Sequence, residues 1–196
     1  MYSKNLSPYH IILASGSPRR QQFLKELNIA FTIQLKNTDE NYPENLQGAE
    51  IADYLAVLKA KAFQGELKEI DLLITADTIV WLDGKSLAKA TNKEEAIKML
   101  QELSGKIHEV ISACCMTTTK FQKVFHEVTK VHFKELTKEE IEFYVTNFQP
   151  FDKAGSYGIQ EWIGYIGIEK IEGSFFNVMG FPVFKFYKAL RELSDL

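Results

Sequence analysis

The sequence predicts an α/β protein, and three observations carry that expectation. Short apolar runs alternate along the chain with segments whose apolar residues recur at helical spacing, the pattern of strands interleaved with helices. The 196 residues suffice for a sizeable core within one domain. At 45% hydrophobic and 25% charged residues, the composition is that of a folded globular chain, without the low hydrophobicity and high charge of a disordered one.

The first apolar run, His10 to Ala14, predicts a buried strand. Ser15-Gly16-Ser17 interrupts it, and Pro18 opens a helix whose apolar positions are Phe23, Leu24 and Leu27. Phe31 to Leu35 reads as a short second strand, and the polar stretch from Asn37 to Gln47 as a loop. Between Ile51 and Phe63, the spacing of Ile51, Leu55, Leu58 and Ala62 predicts a helix with one apolar face. Leu72 to Ala76 is a further strand, with Asp77 at its end. Thr78 to Leu82 then meets Asp83-Gly84, a tight-turn pair that predicts a hairpin. Asn92-Lys93-Glu94-Glu95 has capping-box spacing ahead of Ala96, Leu100 and Leu103, and Gly105 is the stop. Val110 to Met116 and Val124 to Phe133 predict paired strands. Thr137-Lys138-Glu139-Glu140 opens a helix through Val145 that Pro150 prevents from continuing, and Val183 to Leu190 predicts a closing helix.

Charge and cysteine usage exclude several classes. The 23 Lys and Arg against 26 Asp and Glu give a net charge of 23 − 26 = −3, which offers no basic stripe for nucleic acid or an anionic membrane. Cys114 and Cys115 are adjacent, badly placed to bridge one another or to build a metal site, so packed reduced thiols are expected. One early Lys4 and the brief apolar run from Ile11 to Ala14 do not make a signal peptide, and no segment approaches membrane-spanning length. The expectation is a cytoplasmic protein.

Ser15-Gly16-Ser17-Pro18-Arg19-Arg20 is the most informative segment. Ser17 is a good N-cap and Pro18 a good first helical residue. Two arginines in a first turn, however, oppose the positive end of the helix dipole by a few tenths of a kcal/mol or more. An anion there removes that penalty, and backbone N–H groups, the hydroxyls of Ser15 and Ser17 and two guanidinium forks would together make a phosphate site. The alternative is a capped helix with solvated arginines. Asp77 is placed for metal binding or general-base chemistry if it ends its strand at a cleft, or simply begins the hairpin. Glu40, beside Asp39 on the polar loop, would supply a Mg²⁺ ligand if phosphates bind near it. Lys59 and Lys89 either reach a phosphate or remain solvated. In Asp152 to Gln160, the two glycines allow close approach of a ligand and Gln160 carries a donor and an acceptor for a base edge. An ordinary turn would look the same, and Gly173 to Gly180 reads equally well as packing glycines near a helix start.

Other motifs fail. Gly84-Lys85-Ser86 resembles the end of a P-loop, but the glycine required five residues earlier is Ile79. His10, His108, His126 and His132 show no zinc spacing, and no GxSxG elbow is present.

Taken together, LASGSPRR at Leu13 to Arg20, ADTIV at Ala76 to Val80, LSGKIHEV at Leu103 to Val110, DKAGSYGIQ at Asp152 to Gln160 and EGSFFNVMGFP at Glu172 to Pro182 resemble the Maf family of nucleoside triphosphate pyrophosphatases. Five stretches in the family's order are very specific, and they span nearly the whole chain. The resemblance implies a mixed, elongated sheet flanked by helices around a nucleotide cleft, residues 1–196 forming one domain with two lobes. It also implies hydrolysis between the α and β phosphates, dependent on Mg²⁺ or Mn²⁺, as house-cleaning of the nucleotide pool. Asp77 matches the family's proton acceptor, and Ser17, Arg20, Glu40, Lys59 and Lys89 match phosphate or metal contacts. Asp77 is also a candidate metal ligand with Glu40. Arg19, Thr78 and Gln160 show the specificity pattern of the branch acting on dTTP and UTP. The branch acting on 7-methyl-GTP differs, with a tryptophan between the Pro and Arg of its first motif. A homodimer is implied as well, and the competing reading is a nucleotide-binding regulator of cell division and septum formation. Two departures stand out. Ala90 replaces the usual proline, which loosens the loop bearing Lys89, and Glu161 replaces a glycine and reshapes the loop at the base.

Overall fold

The computed structural model describes residues 9–194. Lys4, used in the signal-peptide argument, lies outside them. The elements run β1 (His10–Leu13), α1 (Pro18–Glu26), β2 (Thr32–Ile33), α2 (Ala49–Lys61), β3 (Asp71–Leu82), β4 (Lys85–Leu87), α3 (Lys93–Leu103), β5 (Ile107–Thr117), β6 (Gln122–Phe133), α4 (Lys138–Phe148), α5 (Trp162–Gly167), β7 (Ile168–Glu172), α6 (Phe175–Val178) and α7 (Val183–Ser194). One seven-stranded sheet has the order β2-β1-β3-β5-β6-β7, with β4 pairing β3. The chain is therefore α/β, with helices against a mixed sheet. β1 is parallel to both β2 and β3, while β3–β4, β3–β5, β5–β6 and β6–β7 are antiparallel.

The core lies in three clusters that follow the strand alternation. Along β3, Leu72, Ile74 and Ala76 join Phe23, Leu24, Phe181 and Phe186 under α1 and α7. Leu73 and Ile79, on the opposite face, join Ile51, Ala52, Leu55 and Ala56 of α2. Val80 and Leu82 carry the first face on to a third cluster, with Leu100 and Leu103 of α3 and Ile141 and Tyr144 of α4. The helix α2 turns inward the face its apolar spacing predicts, with Ile51 and Leu55 buried, but the deepest stripe is displaced to one side of it. Ala52, Ala56 and Ala60 are buried, whereas Leu58 and Ala62 are only half-buried. Small side chains let the helix backbone come close to the sheet, where the Thr75 hydroxyl donates to the Ala56 carbonyl at 2.7 Å.

Three expectations need correction. β2 is Thr32–Ile33 rather than Phe31 to Leu35, because it is an edge strand paired with β1 through Ile12 and Leu13 alone. Asp77 does not end its strand, since β3 continues to Leu82 against β5. What ends near Asp77 is β1, whose last pair with β3 is Leu13–Ile74. The loop before α3 is not loose either. An isolated antiparallel bridge joins Lys89 to Ala154, the Gly155 N–H donates to the Ala88 carbonyl at 3.2 Å, and Ala90 is buried. Gly155 makes this approach possible. Its φ is +67°, and a Cβ there would stand 2.9 Å from Val80 Cγ2.

The hairpin forms at Asp83-Gly84, both with positive φ. α4 carries its capping box on Thr137 and Glu140. In α3 the Asn92 side chain accepts from Glu95 N, but the Glu95 carboxylate reaches one residue further back, to Thr91. α5 and β7 were not anticipated, α6 falls within the 173–180 stretch that also reads as a helix start, and α7 runs on to Ser194. Both cysteines are buried free thiols. No helix among the described residues is long and apolar enough to cross a membrane.

His108 sits in β5 almost fully buried, edge-on to Phe133 and Tyr157, with Nε2 2.7 Å from the Tyr157 hydroxyl. Burial, with the charge of His132, pushes its pKa down to about 3. The ring is therefore neutral in the folded state but takes up a proton below about 6.5 once unfolded. Its contribution to stability is complete above that value and is lost as the pH falls toward 3. Between pH 6.5 and 5, His108→Gln is expected to flatten the pH dependence of urea unfolding by up to about 1.4 kcal/mol per pH unit. An unchanged slope in the variant would refute a buried neutral imidazole.

Candidate active site

The site begins where β1 stops. The Ala14 N–H donates to the Ile74 carbonyl, and the next carbonyl facing that side, Ala76 O, has no strand to receive it. Arg20 takes that place, donating from Nη1 to Ala76 O at 2.9 Å. The same guanidinium donates from Nε to Gly180 O at 2.9 Å, from Nη1 to Ser15 Oγ at 3.3 Å and from Nη2 to Thr78 Oγ1 at 3.1 Å. Burial pulls its pKa down, a pull that the charge of Asp77 opposes. Arg19 donates from Nε to Met179 O at 3.0 Å and from Nη1 to Asp152 Oδ2 at 3.4 Å. The paired arginines thus tie α1 to the 179–180 turn. This explains their presence in a first turn where the dipole disfavours them, and it leaves Arg20 little donor capacity for a phosphate.

The turn they grip is itself anchored. Asn177, fully buried in α6, donates from Nδ2 to Val110 O and to Thr129 Oγ1, both at 3.0 Å. Its carbonyl accepts from Ser112 Oγ at 2.8 Å. Thr78 Oγ1 lies 2.8 Å from Ser112 Oγ and 3.2 Å from Gly180 O, and with the Ser112 proton on Asn177 O its own single proton serves one of these two acceptors at a time. The Thr78 hydroxyl is accordingly held by protein partners. Ser112 had no local sequence signal, and although Asn177, Met179 and Gly180 lie in the Glu172–Pro182 stretch, the use of the last two as main-chain acceptors could not be read from their side chains.

Alternation along β3 sends Asp77 to the opposite face, toward α2. There Lys59 Nζ lies 2.5 Å from Asp77 Oδ1 and 2.9 Å from Glu40 Oε1, so one ammonium joins the strand acid to the loop acid. Burial raises the pKa of Glu40, but the hydrogen bond and charge of Lys59, followed by the charges of Lys89 and Arg20, outweigh burial and hold it below the usual range. Ser17 stands at the N-cap of α1 without a side-chain cap bond, and its N–H donates to Ser15 Oγ at 3.3 Å. The first-turn amides of α1 therefore have no hydroxyl cap from Ser17.

Two adjoining hollows meet around these groups. The outer one is lined by the Ala14–Arg20 turn, Lys36, Glu40, Lys59 and Lys89, and is rich in cations. The inner one is bounded by Val80, Val110, Tyr157, Gly158, Val178 and Met179, together with Asp77, Thr78 and Gln160. Ser17, Arg19, Arg20, Lys59, Lys89 and Asp152 line both. Gln160 lines the inner hollow, and its Oε1 is buried without a hydrogen-bond partner. The structure thus gathers Arg19, Thr78 and Gln160 in one hollow and Ser15, Ser17, Lys59, Lys89 and Glu40 at the other, with Asp77 on the inner wall.

The donor set fits a divalent cation shared with a ligand. Among the described residues no group of three or more His, Cys, Asp or Glu could hold one unaided. Glu40 and Asp77, drawn to a common ammonium, are the two carboxylates that would hold Mg²⁺, which would supply neutralising charge for a phosphorylated ligand.

A mixed sheet notched beside a helix N-terminus, with a cationic hollow opening onto one that adds valine and tyrosine side chains to its polar lining, defines an α/β protein built for a phosphorylated ligand. The chain belongs to the Maf family, whose model, described as Maf-like protein, matches residues 10–193. It is similar to a dTTP/UTP pyrophosphatase of Christiangramia forsetii, 53% identical over 98% of both chains. It is also similar to proteins of the same name from Flavobacterium johnsoniae (51% identical, 98% of this chain and 100% of the other) and Bacteroides thetaiotaomicron (50%, 96% and 98%). The solved structure of the Staphylococcus aureus Ham1 protein overlaps 63% of this chain and 71% of its own, at a TM-score of 0.48 and 16% identity.

Lys59 holds the position between the two acids that a cation would also favour. Lys59→Met is expected to bind Mn²⁺ at least about 10-fold more tightly than wild type without nucleotide, since two carboxylates lose their shared counter-charge. Paramagnetic titration of both proteins measures this, and equal affinities would disprove the competition.

Proposed function

We propose that this protein is a hydrolase that splits nucleoside triphosphates between the α and β phosphates, releasing the nucleoside monophosphate and pyrophosphate, with dTTP and UTP as substrates. The observation that carries the reading is Asp77, joined to Lys59 where the two hollows meet. The names of relatives at about half identity over nearly full length support it. We read residues 1–196 as one domain whose cleft divides two lobes.

In this reading the base enters the inner hollow between Val80, Val110, Tyr157 and Val178. The unpartnered Gln160 Oε1 accepts the ring N–H of uracil or thymine. Thr78 acts indirectly, by holding Gly180 and Arg20. The triphosphate lies across the α1 N-terminus, met by its amides, Ser17, Lys59 and Lys89. Arg20, engaged by four protein oxygens, shapes this wall more than it grips the phosphates. A divalent cation bound with Glu40 and Asp77 would neutralise charge on the phosphate oxygens. Asp77 takes the proton of the water whose oxygen bonds to phosphorus as the anhydride bond breaks and pyrophosphate leaves. A sensor without turnover would have no use for a base in this position.

Asp77→Asn is expected to keep its fold while turnover falls at least about 100-fold, as for loss of a general base. Pyrophosphate release together with circular dichroism checks this, and a variant within a few-fold of wild type would remove Asp77 from the role.

Base selection gives a separate test. The kcat/KM for UTP and dTTP should exceed that for ATP, GTP and 7-methyl-GTP, and Gln160→Ala should narrow the gap by lowering the pyrimidine values, because an unpaired buried acceptor penalises the wrong base. A wild-type preference for a purine would overturn the substrate assignment and leave the reaction type standing.

A further inference from the structure

The glutamate that departs from the family pattern sits at the N-cap of α5 but does not cap it. Its carboxylate turns back instead. Oε2 accepts the Tyr144 hydroxyl, and Oε1 lies 3.0 Å from Lys153 Nζ. Tyr144 is fully buried in α4, and its hydroxyl oxygen accepts the Gly158 N–H at 3.0 Å. Lys153, whose side chain is 10% exposed, also pairs with Asp152 Oδ1 at 2.7 Å, and Asp152 Oδ2 receives Arg19 Nη1. An unbroken chain of polar contacts therefore runs from Gly158 through Tyr144, Glu161, Lys153 and Asp152 to Arg19.

Every part of that chain borders the inner hollow or supports a residue that does. Arg19, Asp152, Lys153, Gly158 and Gln160 all line it. Gly158 is the shared seat: a Cβ there would come within 2.9 Å of both Gln160 Nε2 and Glu161 Cδ, so these two side chains lie side by side on one bare stretch of backbone. A largely buried carboxylate costs free energy unless it is paired, and here both oxygens are paired, Oε1 with Lys153 and Oε2 with the Tyr144 hydroxyl that holds Gly158. Removing the carboxylate weakens the hold on both ends of the 153–158 loop at once.

We infer that Glu161 and Tyr144 are positioning residues for base selection: they clamp the 153–158 loop at both ends and thereby fix the direction in which Gln160 Oε1 points. The inference rests on the proposed function and names a further specificity determinant for it. Neither residue touches the phosphates or the Asp77–Lys59 pair, so their effect is confined to the base end of the ligand.

The test compares wild type, Glu161→Ala and Tyr144→Phe, the latter losing only a hydroxyl. KM for UTP is expected to rise about 10-fold in both variants, as for a recognition group displaced by a fraction of an ångström, with kcat within about two-fold. Inhibition by pyrophosphate, which occupies only the phosphate end, should stay within about two-fold of wild type. Unchanged KM values would overturn the inference, and so would a parallel loss of UTP and pyrophosphate affinity, which marks general loosening. Calorimetric titration with UMP reads the same pair without turnover: weaker binding by both variants supports the clamp, and equal binding overturns it. A wild type that binds UMP yet hydrolyses no pyrimidine triphosphate would count against the proposed reaction and leave the clamp to be judged by the titration.

Discussion

β3 runs on well beyond the point where its parallel neighbour β1 stops, and a strand edge left bare in the interior of a protein must be satisfied by something other than a strand. Arg20 meets that requirement. Its planar fork reaches Ala76 O as the missing strand would have done, and its remaining donors extend to Ser15, Thr78 and Gly180. The notch left by the short strand is the cleft, and the guanidinium that fills its floor also fixes the α1 N-terminus and the 179–180 turn on either side. Architecture and site therefore depend on the same few hydrogen bonds. Such bonds from a charged donor are worth about 1.5–3 kcal/mol each in buried surroundings, enough to order three segments far apart in sequence.

Charge is distributed along the cleft with comparable economy. Lys59 stands between Glu40 and Asp77, Lys153 between Asp152 and Glu161, and Arg19 closes the second series against Asp152. Lys59, Lys153 and Arg19 are each oriented by at least one acid, so these side chains are held in place before a ligand arrives. Preorganisation of this kind lowers the entropy lost on binding. Both series reach both hollows, through Lys59 in the first and through Arg19 and Asp152 in the second.

Much of the architecture was legible in the sequence because it rests on local rules. The Asp83-Gly84 turn, the Thr137–Glu140 capping box and the buried periodicity of α3 each follow from residues within a few positions of one another. The site was legible as a set of segments but less so as geometry. An acid after an apolar run reads as the end of a strand, and only the partner Lys59, supplied by another helix, explains how Asp77 can sit inside one. The substitution at Ala90 suggested a loose loop because a proline restrains its own backbone, whereas the restraint here comes from Ala154 across a bridge. Ser17 has the composition of a cap, yet its side chain makes no cap bond. Short β2 and the unanticipated β7 owe their pairing to neighbours rather than to their own residues.

Asp77 and Thr78 are consecutive, and the pleat alone decides which of them faces Lys59 and which faces Arg20. The chemistry of the cleft is therefore a matter of parity. A single residue inserted or deleted in β3 ahead of Asp77 would exchange the acid and the hydroxyl between the two sides of the sheet. The long ladder with β5, in which Asp77 lies opposite Ala113 and Thr78 opposite Ser112, protects against that exchange. Length variation in this protein should for that reason be tolerated at the Asp83-Gly84 turn, beyond Asp77 and Thr78, and excluded between Asp71 and Thr78.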